Sequence, residues 1–155
     1  MIPNMRKLDL KNSIGTLVVL ASKSMERAAE YEIKNKLGLT SSQWKVILAL
    51  NLFEGLSQRE LADKIYVDSS TLVPVIDKME RNGLIVRKPD PKDRRHNRLF
   101  LTKKSESTVD SIIGIITQLR KNLYRGISHD EQEFMRSHLK RIIDNADKIL
   151  NKTKS

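Results

Sequence analysis

The stretch LSQRELADKIYVDSSTLVPVIDKMERNG, residues 56–83, decides how this chain folds. Ser57 precedes Glu60 by three positions, the spacing of a capping box, in which each side chain satisfies the other residue's free backbone N–H at a helix start. Leu61, Ala62 and Ile65 follow on one helical face. The polar break from Asp68 to Ser70 offers Asp68 or Ser69 as cap for a second helix, with the stripe Leu72, Ile76, Met79 and Gly83. Two short helices joined by a few residues, the second opening on small hydroxyls, form the pattern of a helix-turn-helix.

Downstream, the period changes. LIVRK (84–88) is short and β-branched, Pro89 and Pro91 punctuate, and RLFL (98–101) alternates, with Leu99 and Leu101 on one side and Arg98 and Phe100 on the other. This predicts a β-hairpin with a long polar tip, set directly after the helix-turn-helix as a wing. Upstream, Thr40 and Gln43 make a second capping box, opening SQWKVILALNLFEG. Its apolar residues lie nearly all round (Trp44, Val46, Ile47, Leu48, Leu50, Leu52, Phe53), which predicts a buried central helix closed by Gly55.

Both ends of the chain read as long helices. Leu10, Ile14, Leu17, Ala21, Ser24, Ala28 and Tyr31 alternate steps of four and three within residues 8–37, before Gly38. Val109, Ile112, Ile116, Leu119 and Leu123 form a second stripe in a run that starts at Thr102 and breaks at Gly126. A last helix, capped by Ser128 and Glu131, carries Met135, Leu139, Ile142, Ala146 and Ile149, and the tail NKTKS is expected to fray. A 30-residue helix is about 45 Å long, more than a small lobe can cover. The stripes therefore predict a bundle shared by two chains, a homodimer, through Leu10, Ile14, Leu17, Leu119, Leu123, Met135, Leu139, Ile142 and Ile149; a monomeric helical cap is the alternative. The fold class is mainly α with a small β-hairpin wing (α+β). The expected division is 1–39 and 104–155 for dimerisation around a winged lobe at 40–103.

Charge narrows the partner. The 155 residues hold 29 Lys and Arg against 19 Asp and Glu, a formal net charge of +10. Within residues 85–104, Arg87, Lys88, Lys92, Arg94, Arg95, Arg98, Lys103 and Lys104 face only Asp90 and Asp93, so this one segment carries +6 of the excess. A hairpin tip cannot bury such groups, and two aspartates satisfy few of them. A solvated loop is the bland reading, but cations placed just after a helix-turn-helix suit phosphates and the minor groove of double-stranded DNA.

Other chemistries find little support. With no cysteine in the chain, disulfides, thiolate metal sites and thiol redox sensing are excluded. No signal peptide and no apolar run of membrane-spanning length is read, so a cytoplasmic, soluble protein without membrane association is expected. Only His96, His129 and His138 are present, and the last two fall about 180° apart on one helix, so no metal site is expected. No phosphate loop or nucleophile elbow appears, and neither an enzyme nor a cofactor is expected.

In its motifs LSQRELADKIYVDSSTL, VIDKMERNGLIVR and DPKDRRHNRLFLT, in that order, the sequence resembles the MarR family of winged-helix transcription regulators. The resemblance covers roughly residues 30–105 by motif and the whole chain by helix layout. It implies a triangular homodimer whose terminal helices form the base and whose lobes straddle a pseudo-palindromic operator. The helix from about Ser69 to Asn82 would enter the major groove and the wing the flanking minor groove. Ser69, Ser70 and Thr71 would meet phosphate or base edges at the recognition-helix start. Asp93 and Arg95 match the family's wing Asp-x-Arg. Asp93 would hold the hairpin by pairing with an arginine, or equally cap the turn, while Arg94 or Arg95 reaches the minor groove.

Ser57, Gln58 and Arg59 are candidate phosphate contacts, with plain capping as the alternative for Ser57. Lys78 is a phosphate contact or part of a solvated face. Arg87, Lys88, Lys92 and Arg98 complete the candidate DNA-binding set. Pro74, inside the proposed recognition helix, lacks the N–H that would bond the Ser70 carbonyl, which predicts a bend and less direct base reading. The resemblance also implies a small aromatic or phenolic effector, for which Tyr31, Trp44 and Tyr66 are candidates, each equally readable as ordinary packing. The competing function is a DNA-coating protein without site preference.

Overall fold

The computed structural model of the chain describes residues 11–152. It is mostly helical with one small sheet: α1 (Ile14–Leu37), α2 (Ser41–Leu52), β1 (Leu56–Ser57), α3 (Gln58–Ile65), α4 (Ser69–Arg81), β2 (Ile85–Pro89), β3 (Asn97–Leu101), a 3-10 turn (Lys103–Ser105), α5 (Glu106–Leu123) and α6 (His129–Lys152). One compact unit runs to Leu119 and a second begins at Arg120. Among the described residues no helix is long and apolar enough to cross a membrane.

Helix boundaries follow local chemistry. α1 starts later than its stripe suggests, because the Ser13 hydroxyl accepts the Thr16 N–H at 3.2 Å and sets the N-cap there. It ends where Gly38 takes the left-handed conformation. Both predicted capping boxes form, Thr40 with Gln43 and Ser57 with Glu60. Pro74 does not break α4, which runs unbroken from Ser69 to Arg81. At the start of α6, Ser128 and Glu131 exchange the expected reciprocal bonds (2.8 Å and 3.3 Å). Leu10 and the tail from Thr153 lie outside the described residues.

The core of the first unit is built on α2, whose Val46, Ile47 and Leu50 meet Leu61 and Ala62 of α3, Leu72, Ile76 and Met79 of α4, and Ile85 and Leu99 of the sheet. It crosses the expected boundaries at both ends. Ala29 and Ile33 of α1 and Val109 and Ile112 of α5 are buried in it, with Ile116 and Leu119 packed alongside. Leu119, expected in a subunit seam, therefore has a place on the lobe's own core. α2 is not apolar-buried all round: Leu52 and Phe53, at its C-terminal end, are exposed.

The sheet has the order β1-β3-β2, all antiparallel. β2 and β3 form the wing in the register Ile85↔Leu101 to Pro89↔Asn97. β1 pairs Leu56 with Leu99, which makes β3 the centre of the sheet and ties the wing's return strand to the start of the helix-turn-helix. A two-residue strand has no period to detect, so β1 is absent from the sequence reading. Gly55 precedes it at φ +69°, where a Cβ would stand 3.1 Å from the Phe100 ring. Both the left-handed backbone and the close approach favour glycine.

Candidate nucleic-acid interface

The N-termini of α3 and α4 and the wing border one notch of about 460 Å³, lined by Ser57, Gln58, Arg59, Ser69, Arg87, Arg95, His96, Asn97 and Leu99. Of the candidates, Ser57, Gln58, Arg59, Ser69, Arg87 and Arg95 thus meet in space, with different partners, while Ser70, Thr71, Lys78, Lys88, Lys92, Asp93, Arg94 and Arg98 do not line this notch. The Ser57 hydroxyl accepts the Glu60 N–H (3.2 Å), the capping alternative left open above. Gln58 points its amide at α4, donating to the Ser69 carbonyl at 3.2 Å and hydroxyl at 3.4 Å, and so holds the two helix starts together. Arg59, Ser70, Thr71 and Lys78 are exposed. Asp68 caps α4 without a side-chain bond.

The wing tip is an ordered turn. Asp90 is buried, at 8% exposure, against the expectation that no tip group is. It accepts the Lys92 N–H (2.8 Å) and the Arg98 Nε–H (2.6 Å). These two bonds, the backbone one first, hold its pKa below the usual value. Asp93 accepts the Nε–H, Nη2–H and backbone N–H of Arg95 at 3.0, 2.9 and 3.1 Å. It therefore both pairs with an arginine and caps the turn. The Arg95 side chain and then its backbone N–H lower the Asp93 pKa to about 2. A depressed pKa means the contribution of this carboxylate is present above its unfolded value and is lost only as pH falls toward 2, so the tip keeps its form across the neutral and mildly acid range.

Two expected contacts with DNA are engaged inside the protein. The Arg87 guanidinium lies 2.5 Å from Asp77 and also pairs with Glu80, both on α4. Burial works against its charge, and the bonds from Asp77 and Glu80 outweigh it, raising its pKa. Arg98 holds Asp90, the Gly55 carbonyl (2.8 Å) and Glu60 (3.1 Å). Lys104 covers the α4 C-terminus through the Asn82 carbonyl (2.9 Å). Lys88 stands 5.0 Å from the Phe100 ring centre. Lys92 and Arg94, at the exposed tip, make no ion pair among the described residues. The acids Asp77 and Glu80 were missed by the sequence reading. Their i, i+3 spacing on the helix preceding an arginine-bearing strand is the signal that points to them.

Trp44 and Tyr66 line a separate groove of about 440 Å³ with Lys64, Leu52 and Phe53, while Tyr31 is exposed on α1 and does not line it. The Trp44 Nε1 is buried without a hydrogen-bond partner among the described residues. Tyr66 is 94% exposed, and its left-handed backbone (φ 57°) ends α3. Of the expected seam, Ile14, Leu17, Met135, Leu139, Ile142 and Ile149 are exposed, and Leu123 is half-buried.

Residues 39–96 match the MarR family. The chain is 31% identical over 124 residues to the organic hydroperoxide resistance transcriptional regulator of Bacillus subtilis, covering 75% of this chain and 83% of that protein. With no cysteine, this chain has no thiol to share in any peroxide chemistry. The solved transcriptional regulator PA3341 superposes with a TM-score of 0.80 at 30% identity, over 88% of this chain and 99% of that one. CouR of Rhodococcus jostii, solved as a transcriptional repressor bound to a 23-mer DNA duplex, is similar at 25% identity, with a TM-score of 0.72 over 90% of this chain and 99% of that one. The same protein is solved with p-coumaroyl-CoA. Helix-turn-helix, wing and near full-length overlap agree, and this chain belongs to the MarR family of winged-helix transcription regulators.

Proposed function

We propose that the chain is a sequence-specific repressor that binds a pseudo-palindromic operator as a homodimer in the cytoplasm, with α4 in the major groove and the wing at the flanking minor groove. Residues 40–103 read DNA, and the segments 1–39 and 104–155 supply the dimer base, through the exposed apolar faces of α1 and α6 among the described residues. The observation that carries the reading is the wing: Arg95 and His96 border one notch with Ser57, Gln58, Arg59 and Ser69 at the starts of α3 and α4, and at the adjoining tip Lys92 and Arg94 are exposed without ion pairs among the described residues. Arg94→Ala is expected to weaken binding to a duplex and to reduce the slope of log affinity against log salt by about 1.8, the share of one phosphate from each subunit of the dimer. Gel shifts at several salt concentrations measure both, and an unchanged affinity and slope would remove the wing from the interface. A coat protein without site preference is distinguished in the same gels, since unrelated DNA would then displace a selected duplex equally well.

Release by a small aromatic ligand belongs to the same proposal. The Trp44 groove supports it, because the aromatic and apolar surfaces of Trp44, Leu52, Phe53 and Tyr66 beside the Lys64 cation suit an aromatic ring that carries an anionic group. Trp44 is the only tryptophan, so titration with a hydroxybenzoate is expected to change its fluorescence. Emission that stays constant up to millimolar ligand would assign the groove to packing.

A further inference from the structure

We infer that Arg87 and Arg98 are positioning residues: each rivets one strand of the wing to a different helix of the helix-turn-helix, and together they set the distance between reader helix and wing tip. The inference rests on the DNA-binding reading above and removes both arginines from the set of phosphate contacts.

Arg87 leaves β2 and takes Asp77 and Glu80, one turn apart on α4, with its own N–H also donating to Glu80 at 3.2 Å. Arg98 leaves β3 and takes Asp90 at the tip, Glu60 on α3, and the Gly55 carbonyl just before β1. Each guanidinium thus faces two carboxylates, so each cluster carries a net charge of about −1 and does not attract a phosphate. A planar, forked donor suits such two-acid bridging, and a lysine does not reproduce it. Where the tip cations Lys92 and Arg94 meet phosphates, they carry no sequence information. Reading comes from placing the tip in one groove while α4 lies in the next, and that spacing passes through these two bridges.

The test uses the full-length protein, a duplex selected by the wild type from a random-sequence pool, and an unrelated duplex of equal length. Arg87→Gln is expected to lower the preference for the selected duplex by roughly tenfold, comparable to mismatching one base pair, while the salt slope and the affinity for the unrelated duplex stay at wild-type values. Asp77→Asn separates the readings more sharply and guards against misfolding of the arginine variant. Removing an acid near DNA should tighten binding to both duplexes if only charge matters; loosening the rivet should lower the preference instead. A salt slope reduced by about 1.8 in Arg87→Gln, one phosphate from each subunit, identifies a phosphate contact and overturns the inference. Unchanged preference in both variants overturns it as well. A wild type that selects no duplex from the pool fails at the earlier step, and the DNA-reading proposal falls with it.

Discussion

Leu139→Asp is expected to convert the protein into single chains, read directly by sedimentation, and to lower affinity for a two-half-site duplex by about a thousandfold, the scale on which linked binding is lost. Met135, Leu139, Ile142 and Ile143 lie on one face of α6 at spacings of four, three and one, and all are exposed in the single chain. Covering side chains of this size contributes about 1.5–3 kcal/mol each. At 41% exposure, Leu139 tolerates a charge in an isolated helix, so the variant should keep its helical circular dichroism. In a covered seam the same charge must be desolvated without a partner, at a cost of several kcal/mol. A variant that still sediments as a dimer would assign this face to another role.

Ile76→Ala should cost about 2–5 kcal/mol, a large part of the ~5–15 kcal/mol that stabilises a domain. Ile76 is fully buried (0% exposed) on the inner face of α4, between Leu72 and Met79. Its deletion leaves a cavity under α4, where the β-hairpin and α2 also pack. Urea unfolding gives the loss as a lower midpoint at unchanged slope. DNA binding should fall with the folded fraction, whereas Arg94→Ala weakens binding at unchanged stability. A loss below about 1 kcal/mol would mean the core closes over the site more easily than native packing allows.

Part of this architecture is written locally. Ser57 with Glu60 and Thr40 with Gln43 are three residues apart, so their reciprocal bonds form wherever a helix starts, and both boxes occur as expected. The faces Leu61–Ala62–Ile65 and Leu72–Ile76–Met79 follow helical period and are buried throughout, whereas Gly83, read on the same stripe, lies beyond the end of α4 at Arg81 in a left-handed conformation. Reading fails where the deciding partner is distant. β1 exists only because Leu56 finds Leu99, forty-three residues on. Leu52 and Phe53 look like core by composition and are exposed; Leu52 continues the half-buried Lys45–Leu48 face of α2, not the Val46–Ile47–Leu50 face that meets the core.

The wing divides the two kinds of information most clearly. Its residues alone determine that a short cationic hairpin follows two capped helices, because turn chemistry, alternation and net charge are properties of neighbouring residues. Which cations remain available is decided by the tertiary structure. Arg87 and Arg98 meet Asp77, Glu80, Glu60 and Asp90 only once the strands lie against α3 and α4, while the side chains of Lys92 and Arg94 make no ion pair among the described residues. A charge is counted from the sequence, but its availability depends on the distance to its counter-charge, and the packed helix-turn-helix sets that distance.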